Sequence, residues 1–188
     1  LFGIYNVGYQ HFNAMGTLAD TDFFELFFYG LWRVLPMIIV SYVVGLGIEF
    51  AAAQIRGHEI NEGFLVSGLL IPMIMPINAP LWMVGVSTAF AVIIGKEIFG
   101  GTGMNIWNPA LLARAFFFFS YPSMISGDKV WIAGMPDGFS QATPLAEAAQ
   151  GLPTTYDMSS MFWGLIPGSV GETSTFCILL GAILLIAT

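Results

Sequence analysis

The sequence predicts an all-α fold: a polytopic integral membrane bundle of helices, some of them broken or re-entrant half-helices, with one extramembrane loop. Three observations predict it. Of 188 residues, 56% are hydrophobic and only 9% charged, and mean hydropathy is +0.79; a soluble domain carries about 25% charged residues. Residues 23 to 55 form an apolar run longer than the ~20 residues that cross ~30 Å of hydrocarbon. Several further apolar segments are short and punctuated by Gly and Pro, a pattern that membrane proteins use where broken helices line a site.

The elements follow in order. Residues 1 to 22 are mixed and are expected mostly outside the bilayer. From Phe23 to about Ile55 the chain is apolar, with Arg33, Pro36 and Glu49 as interruptions, and fits one tilted helix with an amphipathic lead-in. A polar turn, Arg56-Gly-His-Glu-Ile-Asn-Glu62, follows. Phe64 to Met75 is short and is expected to end at Pro72 and Pro76. Leu81 to Phe99 approaches a full span. Asn108 to Tyr121 is short again, with Pro109 at a helix-start position. A polar region from Ser123 to about Glu172 is the extramembrane loop, and a last helix starts near Thr173. The whole chain, 1–188, reads as a single membrane domain with the loop 123–172 outside it. It opens without Met and closes inside an apolar run, as expected for a piece of a longer polytopic protein.

Charge narrows the function. The net charge of −7 is scattered, so there is no basic face for nucleic acid. Arg56 beside His58 marks the cytoplasmic end of the first long helix, and Asp20 and Asp22 the other side. If the three following segments all cross, the loop lies on the outer side; a re-entrant segment inverts this. The single cysteine, Cys177, excludes an internal disulfide and any cysteine-cage metal or iron–sulfur site made by this chain alone. In its apolar helix it is expected to be a buried thiol. No catalytic triad, HExxH, P-loop or Rossmann fingerprint is present, so no pattern for binding NADH is visible.

The loop contains DGFSQATP, residues 137 to 144. Read from the residues alone, Asp137-Gly138 is a turn. Thr143 is an N-cap, Pro144 is the first helical residue, and LAEAAQ is a short helix stopped by Gly151. A threonine hydroxyl on such a loop is also a site for covalent modification. Glu49 is a carboxylate inside an apolar helix, which is a functional hypothesis by default; alternatively it faces the interface within two turns of Arg56. Asn105 and Asn108, in NIWNPA after the glycine turn GGTG, offer amides for a ligand edge or a helix cap before Pro109. Glu62, Asn61 and His58 read as a solvated turn. Lys96 and Glu97 are adjacent and need not face each other. Phe116 to Phe119 read as lipid-facing packing.

DGFSQAT resembles the D-G-x-S/T-G-A-T flavinylation motif of membrane subunits of sodium-pumping redox complexes. RGHEINEGF, GKEIFGGTGMNIWNPALLARAFFFFSYP, ISGDKVW and IPGSVGETST extend the resemblance over nearly the whole chain. They are similar to the family that includes the B subunit of Na⁺-translocating NADH:quinone oxidoreductases and the D subunit of the ferredoxin:NAD⁺ complex called Rnf. HEINEGF favours the first.

The resemblance implies covalent FMN on Thr143 through a phosphoester bond, installed by a flavin transferase that uses FAD and Mg²⁺ and recognises Asp137, Gly138, Ser140 and Ala142. Gln141 departs from the family glycine. It also implies a non-covalent riboflavin near Asn105 and Asn108, and a quinone (ubiquinone or menaquinone) region around Gly45 and Phe64, with Leu46 where some members carry a second glycine. Glu49 falls on a Na⁺ pathway. The implied location is the bacterial inner membrane, with the flavin loop on the periplasmic side. The implied partners are an NADH-oxidising FAD/2Fe–2S subunit, a second covalent-FMN subunit, small membrane subunits and the lipid bilayer. The alternatives are an Rnf-type subunit and a non-redox secondary transporter or channel.

Overall fold

The computed structural model describes residues 1–57, 63–125, 131–134 and 143–188. Every regular element among them is helical. The helices are α1 (Phe2–Met15), α2 (Phe23–Arg56), α3 (Phe64–Ile74), α4 (Leu81–Gly95), α5 (Pro109–Ser120), α6 (Pro122–Ile125), α7 (Pro144–Ala149), α8 (Met158–Trp163) and α9 (Thr175–Ala187), with 3-10 turns at Leu18–Asp20 and Glu97–Phe99. Two stretches, Phe23–Arg56 and Leu81–Phe99, are long and apolar enough to cross a bilayer. Helices α3 and α5 have 11 and 12 residues. At ~1.5 Å per residue each covers about half of a ~30 Å hydrocarbon core, as half-helices do.

One local expectation is corrected, the end of α3 at Pro72, and two other segments are specified further. The first 22 residues hold a regular helix, α1, closed by Gly16 in the left-handed region at φ 74°. Pro72 lies inside α3 and does not end it; the chain leaves the helix only at Met75. Helix α2 likewise continues through Pro36. A proline removes one backbone donor and frees one carbonyl, a cost that apolar helices tolerate when neighbours or local adjustment satisfy the freed group.

The chain divides into two compact units. One comprises Leu1–Arg33, Pro76–Asn78 and Gly127–Thr188. Here α1 approaches the start of α2 at Gly8 and Gly30, and the Val170 segment at Gly3, at backbone distance, because these three glycines carry no side chain. A Cβ on Gly30 would overlap the carbonyl of Ile4, one on Gly8 that of Leu26, and one on Gly3 that of Val170. Small residues at a crossing let helices in an apolar medium gain dispersion contact that larger residues would block. Polar clasps complete the unit: the Asn6 amide donates to Ile166 O at 2.9 Å, Asn78 donates to Ile132 O at 2.6 Å, and His11 Nδ1 donates to Ala133 O at 2.7 Å. The His11 ring stacks on Tyr29 at 4.2 Å. With the Tyr29 hydroxyl donating to Ala133 O at 3.5 Å, segment 131–134, just before the flavinylation-like loop, is therefore held by three side-chain donors.

The same unit carries α9, whose first turn is capped by Ser174 Oγ accepting from Cys177 N at 3.3 Å. Phe176 packs on Trp163 at 5.0 Å between centroids. No residue of α9 is buried, and Cys177 is exposed. The expected buried thiol is thus corrected: an apolar sequence signals burial in some medium, not burial against this chain.

The other unit comprises Val34–Met75 and Ala79–Ser126. Its core is apolar, with Met37, Phe64, Ile71, Val84, Val92 and Phe117 at most 1% exposed. Helices α4 and α5 pack through Phe90 stacked on Phe116 at 4.3 Å and Trp82 edge-on to Tyr121 at 5.5 Å. Phe116 and Phe117 therefore bind helix to helix, whereas Phe119 is 81% exposed. The phenylalanine run is divided between core and exterior by the helical period.

Glycine contacts give a stability test. Gly30→Ala should lower the stability of the full chain in detergent by about 1–3 kcal/mol through overpacking. Gly47, also inside α2 but with open space around it, should tolerate alanine and gain about 0.5–1 kcal/mol. Thermal unfolding of the two variants beside the wild type checks both signs.

Candidate functional site: a buried charge cluster and a capped threonine

Helix α2 carries Gly45 and Glu49 four residues apart, on one face. Gly45 meets the ring of Phe64: a Cβ there would overlap the ring edge at Cζ. Two residues assigned to the quinone region from sequence are therefore in contact. Phe64 is fully buried, and Tyr42 stands edge-on to it at 6.4 Å. Tyr42 donates its hydroxyl to Leu65 O at 2.6 Å, fixing the start of α3 to α2.

Glu49 is 4% exposed. It does not face the interface beside Arg56. Its Oε1 accepts from the ammonium of Lys96, which is 3% exposed, and the two form a buried ion pair. The Lys96 ammonium also lies 5.8 Å from the centroid of Phe64, in cation–π range. Arg56 instead pairs with Glu97, Nη1 to Oε2 at 3.7 Å. Adjacent in sequence, Lys96 and Glu97 engage different partners, as the sequence allows. Neither has a place in the sequence assignment. The available signal is that Glu49 and Lys96 are opposite charges in separate apolar stretches, and each, if buried and ionised, requires a counter-charge.

Lys96 sits at the end of α4, where the chain enters the glycine turn. Its carbonyl accepts from Phe99 N at 3.2 Å and Gly101 N at 3.1 Å. Gly100, Gly101 and Gly103 have φ of 113°, 95° and 88°, conformations that side-chain-bearing residues rarely adopt. Asn108 caps α5: its Oδ1 accepts from Ala110 N at 2.9 Å and Leu111 N at 3.3 Å. Asn105 donates to Trp107 O at 3.0 Å. The cap alternative accounts for the Asn108 oxygen and leaves its amide nitrogen as the group that can address a ligand.

The second site lies in the other unit. Thr143 is the N-cap of α7, and its Oγ1 accepts from Ala146 N at 3.2 Å. The hydroxyl retains its proton and is half-buried. Asp137, Gly138, Ser140, Gln141 and Ala142 lie outside the described residues, as do His58, Asn61 and Glu62. On α7, Glu147 faces back onto the chain: Oε2 accepts from Thr155 N at 3.0 Å and Oε1 from Thr155 Oγ1 at 2.6 Å. The neighbouring Tyr156 hydroxyl is buried without a hydrogen bond among the described residues. Burial first, and the Glu147 carboxylate second, push it up to about 12.

Two outcomes follow. Glu49→Gln strands a buried ammonium and should cost about 3–5 kcal/mol, while Glu49→Gln combined with Lys96→Met should recover most of it; a double-mutant cycle by thermal unfolding reads this. For Tyr156, an unfolded tyrosine titrates near 10. Between pH ~10 and ~12 the unfolded chain has lost a proton that the folded chain keeps, so stability falls as pH rises through that window. Tyr156→Phe should remove this fall, and the wild type should show one late phenolate absorbance step that the variant lacks.

Comparison with known proteins places this arrangement. The model of the NQR2, RnfD, RnfE family matches residues 1–188. The chain is 44% identical to the B subunit of the Na(+)-translocating NADH-quinone reductase of Chromohalobacter salexigens, over 100% of this chain and 51% of that protein. It is 41% identical to the corresponding B subunit of Pseudoalteromonas atlantica, over 98% of this chain and 52% of that one. It is 40% identical to that of Azotobacter vinelandii, over 100% and 52%. The chain thus spans about half the length of the curated relatives it matches. A match that runs from the first residue to the last, through the buried pair, the glycine turn and the capped threonine alike, makes this chain a member of the NQR2, RnfD, RnfE family.

Proposed function

We propose that the chain is part of the membrane subunit of a sodium-pumping NADH:quinone reductase and that Thr143 carries FMN through a phosphoester bond. The observation that carries this reading is the position of Thr143. It ends a DGFSQAT motif, and its hydroxyl acts only as an acceptor in the cap, so the oxygen stays available for esterification. Asp137, Gly138, Ser140 and Ala142 are the recognition residues for a flavin transferase. A flavin held there supplies one-electron carriage between a reduced donor and a quinone; the protein's part is placement and electrostatics.

The remaining residues take roles around it. Asn105 and the Asn108 amide nitrogen are the groups that would hold a non-covalent riboflavin. Gly45 and Phe64 would border a ubiquinone or menaquinone. Glu49 is the hard oxygen ligand suited to Na⁺. The names of the relatives support Na⁺ translocation and quinone reduction over an Rnf-type role. The protein works with an NADH-oxidising FAD/2Fe–2S subunit, a second covalent-FMN subunit and small membrane subunits. It lies in a bacterial inner membrane with the flavin loop on the periplasmic side.

The full-length protein, co-expressed with its flavin transferase, should give a fluorescent band on a denaturing gel under ultraviolet light. Thr143→Ala should give a dark one. A dark wild-type band would overturn the assignment.

A further inference from the structure

Four charges meet within one unit: Glu49 and Arg56 on α2, Lys96 and Glu97 at the end of α4. They are not equivalent. The Glu49 and Lys96 side chains are each 4% exposed, and Glu97 is 10% exposed, but Arg56 is 40% exposed. Only Arg56 can give its charge to solvent without a buried partner. Glu97 Oε2 is buried, accepts no hydrogen bond among the described residues, and meets Arg56 only at 3.7 Å. The cluster therefore holds one closely made pair, one loosely made pair and one underused carboxylate oxygen.

A buried carboxylate that stays ionised needs a counter-cation. Any alkali cation that comes to Glu49 meets one already there. We propose that Lys96 is the resident cation of Glu49, and that a translocated cation reaches this carboxylate only by displacing the Lys96 ammonium toward Glu97, which frees Arg56 to solvent. This rests on the sodium-pump reading and deepens it. Both carboxylates are neutralised in each arrangement, and the bound ion adds one net positive charge to the cluster. Without the ion, Lys96 neutralises Glu49 and Arg56 neutralises Glu97. With it, the ion neutralises Glu49, Lys96 neutralises Glu97, and the surplus positive charge sits on the most exposed member. A lysine suits the exchange, being a compact charge on a flexible four-carbon stem. Lys96 also stands where helix gives way to a run of glycines with positive φ. It is a positioning residue: it acts on the ion through Glu49.

The test is the Na⁺ dependence of quinone reduction by the complete complex, with NaCl varied against choline chloride, for wild type, Lys96→Gln and Glu97→Gln. Apparent affinity is reduced by the fraction of sites that are open. If Lys96 occupies about nine sites in ten, removing its charge should lower half-saturating Na⁺ ~tenfold. Glu97→Gln removes the second station and should raise half-saturating Na⁺ severalfold while leaving the Glu49–Lys96 pair intact. Assembled, flavin-loaded variants with half-saturation within about twofold of wild type would make Lys96 a structural counter-ion and overturn the proposal. Should Lys96→Gln fail to assemble, Glu97→Gln decides alone. A wild-type complex with no response to Na⁺ would instead sink the sodium-pump reading itself, a distinguishable result.

Discussion

A charge in an apolar interior must be answered by another. The pairing of Glu49 with Lys96 meets that requirement, and much of its unit is arranged to permit it. Lys96 reaches Glu49 because α4 ends at Gly95 and turns through a glycine-rich stretch. Gly95 has no side chain where Leu112 of α5 comes close: a Cβ there would stand 2.6 Å from Leu112 Cδ2. Phe64 seals the pair by occupying the space that a side chain at Gly45 would take. A buried ion pair of this kind is poor evidence for stability, since apolar residues of similar volume often do as well.

The second constraint is dimensional. Helices α3 and α5 are too short to cross a bilayer alone, and each end leaves backbone groups that need partners. Asn108 supplies two acceptor contacts at the start of α5 and Tyr42 reaches the backbone at the start of α3. Loop elements follow the same economy. Thr143 begins α7, Glu147 fastens Thr155, and Ser174 begins α9. Short polar side chains thus cap α5, α7 and α9, and glycines appear where helices turn or touch.

Much of this was legible in the sequence because it depends on local rules. Apolar run lengths located α2 through α5. Thr143 and Asn108, each ahead of a proline-led segment, located two caps, and Gly151 marked the end of α7. What could not be read was pairwise and long-range. Nothing local tells Glu49 whether its neighbour is Arg56, seven residues on, or Lys96, forty-seven residues on; burial decides, and burial is a property of the assembled unit. Cys177 failed for the related reason that hydrophobicity does not specify which surface does the covering. Asn108 shows the limit of residue type: one amide serves a cap or a ligand, and the cap claims its oxygen.

The ring of Phe64 has two neighbours of different kinds, the bare backbone of Gly45 and the ammonium of Lys96. It is at once a wedge and a counter-ion's companion. Any molecule that slides a flat ring into the place of Phe64 must rotate the phenylalanine away, which strips the ammonium of its aromatic face and loosens its grip on the carboxylate. Thermodynamic reciprocity then demands the converse: an event at the carboxylate must alter how readily the phenylalanine yields. One side chain, by touching both, links the Gly45 backbone of α2 to the Lys96–Glu49 pair.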